Sequence, residues 1–511
     1  MTVQSSPPGS PEELAAFAAL QSRLPALFRR VFADPREPRT VVIVPGLSVD
    51  GEALARVAGG LHYEERQLAM LMLLRLPNTR LVFVSSTPIE PAIIDYYLGL
   101  LPGGLREDAR SRLMLLSASD ASPQTLTQKI LDRPRLLERI RSATGDPTRA
   151  HLTVFNSTPC ERTLAVRLGI PLYGCDPALL EIGGKSGGRQ AFREAGIVLP
   201  DGAEDLRDAR DLAAALADLK GRHPHLARAV VKLNHGFSGE GNAVFSFAGC
   251  PDEDQQRWIT AHLPLNLTIE ARDLRWERFA AKLAESGGIV EAWLSGDGVR
   301  SPSAQLRVTP VGELETISTH DQILGGPSGQ IFQACTFPAD PSYALEVQQL
   351  ALQVGEVLRR RGVLGRFGVD FVSVPRDGGW EHFAIEINLR KGGTTHTFQM
   401  LQYLTEGRYD PERAEFVTPA GKVRSYFATD NVVSPAYRRL TPEDLFEIAA
   451  TRGLRFHGDS QAGVVFTLIG ALSEFGKLGM VSIDADREAA RRRFRGAVAV
   501  LDEESATPPS A

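Results

Sequence analysis

Four cysteines in 511 residues are few, and no two are placed to work together. Cys160, Cys175, Cys250 and Cys335 lack metal-site or redox-motif spacing, which leaves buried free thiols in a reducing compartment. Long apolar runs are also missing. The longest, Leu68 to Leu74, falls far short of the roughly 20 residues that cross a bilayer. Glu12 and Glu13 come early, with no basic-then-apolar opening, so the expectation is a cytoplasmic protein without a signal peptide and with access to ATP. Positive charge is not in excess: 57 basic against 62 acidic residues give a net charge of -5. That excludes a general attraction to nucleic acid or to an anionic membrane. The short basic run from Arg491 to Arg495 fits the solvated face of a last helix. Neither G-x-G-x-x-G nor G-x-x-x-x-G-K-[ST] occurs, so there is no dinucleotide fingerprint and no P-loop.

What remains is an ordinary globular composition, 43% hydrophobic and 23% charged, long enough for about three domains of roughly 150 residues. Residues 1–38 read as a Ser/Pro-rich tail and one helix from Pro11 to about Val31, capped by Ser10. From 39 to 178, strands alternate with helices: Thr40–Pro45, Leu81–Ser85, Leu113–Leu116, Leu152–Phe155 and a short Pro171–Tyr173. That alternation predicts a doubly wound parallel sheet, with Pro45–Gly51 a strand-to-loop turn. A third region, 179–410, opens on Gly183–Gly188 and a helix from Arg189. Lys232 then ends a strand and runs into Asn234–Asn242, which holds three glycines in six residues. Backbone amides can approach an anion there, although a plain glycine hairpin reads as well. Residues 411–511 read as a small α/β extension with a disordered tail from about 503.

Two segments near the end of the third region face each other as a hairpin. In Gly365–Val372, Arg366, Gly368 and Asp370 share one face; in Phe383–Arg390, Glu386 and Asn388 do. A turn centred on Gly378 sets Asp370 opposite Glu386 and Gly368 opposite Asn388. Like charges across a sheet repel, so a cation belongs between them. Oxygen-only ligands suit Mg²⁺, which binds through one or two carboxylates plus substrate phosphates. Arg390 to Thr397 is a cationic glycine loop leading into a helix, a second place for an anion.

The order of these features (a Lys before a helix, a Lys with a glycine loop, a Glu-ended strand, then Asp…Glu-x-Asn) resembles the ATP-grasp superfamily of carboxylate–amine ligases. The segments Ser318–Gln322, Glu386–His396 and Gly470–Gly479 resemble a narrower group, the pheganomycin-type peptide ligases. The resemblance implies an ATP-grasp module of two α+β subdomains behind a Rossmann-like domain, in an α/β chain that is α+β overall. It implies nucleotide contacts from Lys185, Lys232, Gly236, Ser238, Gly239, Gly241, Glu291, Ala292 and Leu294. Metal ligation would fall to Asp370, Glu386 and Asn388, for two Mg²⁺ ions or Mn²⁺. Arg366 would sit near the transferred phosphate. A ribose-binding Glu is absent, since Gly298 stands at the comparable place.

The implied chemistry converts a carboxylate to an acyl phosphate and joins it to an amino acid or peptide amine, in natural-product biosynthesis. Such catalysis is positioning and electrostatics. Arg390 is expected to bind the acyl phosphate or a substrate carboxylate through its planar fork. His396, His320, Asp321 and Thr395 are candidates around the substrates, a His serving to remove the amine's proton. The expected partners are small molecules, neither nucleic acid nor membrane, and the oligomeric state stays open, with a homodimer among the options. Two other readings stay open: an ATP-binding protein that does not ligate, and a dinucleotide-dependent oxidoreductase.

Overall fold

The computed structural model describes residues 6–48, 57–236, 241–271, 273–326 and 329–506. Ser10 caps the first helix, Pro11–Gln21, by accepting from the Glu13 amide, as its sequence predicts. The helix does not run on to Val31. It stops at Ser22 and a second helix, Leu24–Ala33, begins with Pro25 in its first turn. Pro25 has no amide proton and cannot continue the first helix.

The next unit is a four-stranded parallel sheet, built from Arg39–Val44, Thr79–Ser85, Leu113–Ser117 and Ala150–Val154. Numbered along the chain, their order across the sheet is third, second, first, fourth. The short strand expected at Pro171–Tyr173 is a single parallel bridge from Leu172 to Leu152. Strand order reverses between the first and fourth strands, so their C-terminal ends open a crevice, the usual ligand position in such sheets. The expected helix at Glu64–Leu74 is present as a 3-10 coil, Gly60–Arg75. Its Glu64, Glu65, Arg66 and Gln67 are all buried, four polar residues in a row.

A five-stranded antiparallel sheet follows, in the order Gly202–Leu206, Gly288–Ala292, Arg228–Leu233, Asn242–Ser246, Leu267–Ile269. Helices Ala209–Arg222 and Gln255–Asn266 cover it, and Leu212, Leu216, Val231 and Phe279 fill the space between. The helix expected from Arg189 starts earlier, at Lys185, and takes Gly187 and Gly188 into its first turns. A Cβ on Gly187 would lie 2.0 Å from the Glu181 carbonyl oxygen, so close packing requires glycine there.

An antiparallel sheet of eight strands completes the molecule. Its order is Gly379–Asn388, Gly365–Arg376, Ser301–Val308, Leu314–Gly325, Ile331–Phe337, Ser425–Val433, Lys477–Asp484, Gly463–Thr467. The last three strands come from beyond residue 411. The boundary expected there falls between the fifth and sixth of these strands, so the parts on either side of it share one hydrogen-bonded sheet. The disordered tail expected from about 503 also starts too early, since the last helix, Arg487–Ala506, reaches 506. Ser318–Gln322 lies inside the strand Leu314–Gly325 with Ser318, Thr319 and His320 fully buried. No helix among the described residues is long and apolar enough to cross a membrane.

Candidate active site

The hairpin pairs Asp370 with Glu386 and Gly368 with Asn388. Its turn is Asp377–Gly378, Gly378 having φ +87°, the left-handed region that glycine favours. From Arg376–Gly379 to Phe371–Ala384 the pairing follows that two-residue turn, which by itself would set Asp370 opposite Ile385. Ile385 is instead an extra, unpaired residue, a bulge that moves Glu386 across from Asp370.

On this floor, Lys185 Nζ lies 2.6 Å from Glu386 Oε1. The Gln322 side chain donates to Asp370 Oδ1 at 2.8 Å, and the Asn388 amide nitrogen donates to Asp370 Oδ2 at 2.9 Å. Burial, then the neighbouring Glu386, pushes the Asp370 carboxyl up to about 7. Burial acts the same way on Glu386, but Lys185 and Arg390 bring it below the ordinary range. A divalent cation between the two oxygens would offset the repulsion that holds Asp370 up. Asn388 uses its N–H on Asp370, which leaves its carbonyl oxygen to coordinate. The donor set thus fits Mg²⁺ completed by phosphate oxygens.

A cavity of about 360 Å³ opens over this floor. It is lined by Lys185, Lys232, Gly236, Gly241 and the segment Glu291–Leu294, residues that the resemblance assigns to the nucleotide. Ser238 and Gly239 lie outside the described residues. Glu291 is buried and holds two cations: Lys232 donates to Oε2 at 2.7 Å and Arg189 to Oε1 at 2.7 Å. Trp293 lies on the same wall, its ring 4.4 Å from the Arg228 guanidinium carbon.

A second cavity, about 460 Å³, lies in the crevice of the parallel sheet. The loops after the first and fourth strands supply Ser48, Asn156, Ser157 and Thr158. Ser48 donates its amide to Asn156 Oδ1 at 2.9 Å, and Asn156 donates back to the Ser48 carbonyl at 2.7 Å, which fixes the two loops together. Both cavities share Lys185, Gly236, Gly241, Glu386, Asn388 and Arg390. They meet over the paired carboxylates.

A match of this region to a protein family accounts for the arrangement. A family described as "IQCH-like, ATP-grasp" matches residues 179–252 and 256–412. Residues 179–412 are an ATP-grasp domain. A second family, the "PGM1 C-terminal domain", matches 444–497. The chain is 29% identical over 492 residues to the L-propargylglycine–L-glutamate ligase of Streptantibioticus cattleyicolor, covering 95% of this chain and 98% of that one. It is 22% identical to the IQ motif-containing protein H of Danio rerio, over 92% of this chain but about half, 49%, of that protein. Among solved structures, biotin carboxylase from Campylobacter jejuni superposes with a TM-score of 0.54 at 12% identity, over 93% of this chain and 96% of that one. An ADP complex of N5-carboxyaminoimidazole ribonucleotide synthetase gives 0.51 at 14%, over 91% and 98%. These two establish the fold.

Within the ATP-grasp site several expected residues are elsewhere. Arg366 lies on the face of Asp370, but four residues along a strand is roughly 13 Å. It sits by its register partner Arg307 and near Tyr403 and Tyr173, away from both cavities, and burial pulls its guanidinium down to about 10. His396 is buried 3.5 Å from Asp430. His320 is fully buried and pairs with the Tyr426 hydroxyl at 2.6 Å, and burial pulls its imidazole down to about 3. Asp321 accepts from the Tyr343 hydroxyl, the Asp340 amide and Arg487, tying the last helix to the sheet. Thr395 accepts from the Gly392 amide at 2.9 Å, a local cap. None of these lines either cavity. Residues not anticipated are Gln322, Asn156 and Ser157, and Arg66, which lines the first cavity from the N-terminal unit. His235 lines the second cavity, 3.5 Å from Glu181, and is the only imidazole among the described residues lining either cavity.

Proposed function

We propose that this chain is an ADP-forming ligase that activates a carboxylate as an acyl phosphate and joins it to an amine, making a peptide bond. The observation that carries this reading is the meeting of two cavities over Lys185, Glu386, Asn388 and Arg390. One cavity suits ATP, the other a substrate, and the γ-phosphate end of the first falls at the junction. A carboxylate oxygen attacks the γ-phosphorus and ADP leaves with the electron pair of the broken bond. The amine nitrogen then attacks the acyl carbon, phosphate departs, and the nitrogen gives up a proton.

Lys185 and Lys232 would hold the phosphates, both already fixed by carboxylates. Mg²⁺ held by Asp370, Glu386 and Asn388 would neutralise the developing phosphate charge. Arg390 faces both cavities and so meets the acyl phosphate wherever it forms. His235 stands where the amine's proton must go. The curated relative named as a ligase is matched along nearly all of its length, which supports amino acids as the substrates. The reading places the enzyme in the cytoplasm, where ATP is supplied, and leaves its pathway to be found among those that build small peptides.

The test is release of ADP and phosphate from MgATP in a two-way panel of amino acids and short peptides, with condensation products identified by mass spectrometry. Release that requires both a carboxylate and an amine is expected. Nucleotide binding without stimulated turnover across the panel would favour a protein that binds ATP and does not ligate.

A further inference from the structure

Arg66 lies on the buried 3-10 coil Gly60–Arg75 and lines the first cavity. It is 8% exposed. One terminal nitrogen donates to Asp430 Oδ2 at 2.5 Å, and its guanidinium lies 3.9 Å over the Tyr63 ring. Its Nε–H is buried and has no hydrogen-bond partner. A buried donor left unmet is costly, so an acceptor belongs there. Arg390 lines the same cavity, with Gly392, Gly393 and Thr394. Those residues open the 13-residue helix Gly393–Thr405, whose first amides point out of its N-terminus. The two guanidiniums are close enough for Arg66 to disfavour the charge on Arg390. Glu386 and Asp370 lie close enough to favour the charge on Arg390, and Asp430 pairs with Arg66.

We propose that Arg66 and Arg390, with the first amides of the Gly393–Thr405 helix, bind a free carboxylate that a substrate carries besides the one phosphorylated. The inference rests on the ligase reading. It makes the enzyme specific for substrates with a carboxylate to spare: an acceptor amino acid through its α-carboxylate, or a donor with two carboxyl groups. Paired arginines suit it, since each offers a planar fork to a carboxylate.

The test compares L-alanine with L-alaninamide, and L-glutamate with its α-amide, as acceptors, and likewise dicarboxylate donors with their half-amides. Wild-type enzyme should favour the free carboxylate by roughly 100-fold in kcat/KM, because a site built for hydrogen bonding rejects an analogue that leaves its donors unmet. The arm in which the preference appears identifies whether acceptor or donor supplies the carboxylate. Arg66→Gln combined with Asp430→Asn removes both buried charges together, so that neither is stranded. This double variant should lose most of the preference, mainly through KM for the carboxylate substrate, with amide substrates affected far less. Arg66→Lys should recover part of it. A wild-type enzyme that takes amides and carboxylates equally overturns the inference and leaves the ligase reading standing. A double variant that slows both substrate kinds alike overturns it too, as that is a structural effect. No two-substrate turnover in wild type overturns both.

Discussion

Asp370 and Glu386 oppose each other with only side-chain donors between them. Asp370 is pushed up to about 7, above the ordinary unfolded value near 4. A raised acid holds its proton in the folded chain and gives it up on unfolding, so metal-free stability should fall as pH rises from about 4 to 7 and level off above. Asp370→Asn should flatten that slope and raise the metal-free melting temperature at pH 8, while abolishing ligation. Thermal denaturation in EDTA at pH 5 and pH 8 checks it; an unchanged slope in the variant would remove Asp370 as its source. Arg390→Lys keeps the charge but loses the planar fork, so kcat should fall by roughly 10- to 100-fold with the fold intact. Near-normal amide formation in that variant would contradict the role given to Arg390.

Among the elements, the strand Gly288–Ala292 is tied by Glu291 to Lys232 on its neighbour and to Arg189 on the Lys185–Glu194 helix. Glu291→Ala strands two buried cations, and removing one partner of a buried pair costs about 3–5 kcal/mol. Urea denaturation should show a loss of that size, together with weaker ATP binding by calorimetry; a loss under 1 kcal/mol would mean that water screens the cluster. The hairpin's partners could be read from its alternation and its glycine turn, both local in sequence. The bulge at Ile385 could not, and the pairing came out right because the expected centre on Gly378 stands in for the turn and bulge together. Three of the misplaced candidates share one reason. His320, Asp321 and His396 find their partners in Tyr426, Arg487 and Asp430, 106, 166 and 34 positions away. Spacing in the sequence carries no trace of such contacts. Arg66 did leave one: Glu64 to Gln67 are four polar residues inside an apolar segment, and buried polar groups require partners.

Across the whole molecule, Asp430 joins three parts. It stands on a strand from beyond residue 411 and holds Arg66 of the N-terminal unit and His396 of the ATP-grasp helix. Burial would raise its carboxyl, but Arg66 and His396 hold it well below the usual range. That depressed acid contributes stability above its unfolded value near 4, and the contribution is lost as pH falls below that. Asp430→Asn should therefore reduce stability at pH 7, and thermal denaturation should show the difference from wild type shrinking progressively as pH falls from about 4 towards the depressed value. The shared sheet has a further consequence. A fragment of residues 179–412 lacks three of the eight strands and exposes the edge of Ile331–Phe337. It should aggregate when expressed alone, since an uncovered apolar edge pairs with other chains; a soluble, ATP-binding fragment would show that the last hundred residues are dispensable to the fold.

All of these parts serve one chemical event, the passage of a carboxylate oxygen onto phosphorus. Turnover of an ¹⁸O-labelled carboxylate with an amine and MgATP follows that oxygen directly. The account predicts one ¹⁸O in the inorganic phosphate for each amide bond formed, with ADP as the other product. Label appearing in AMP, or amide formed with unlabelled phosphate, would contradict it.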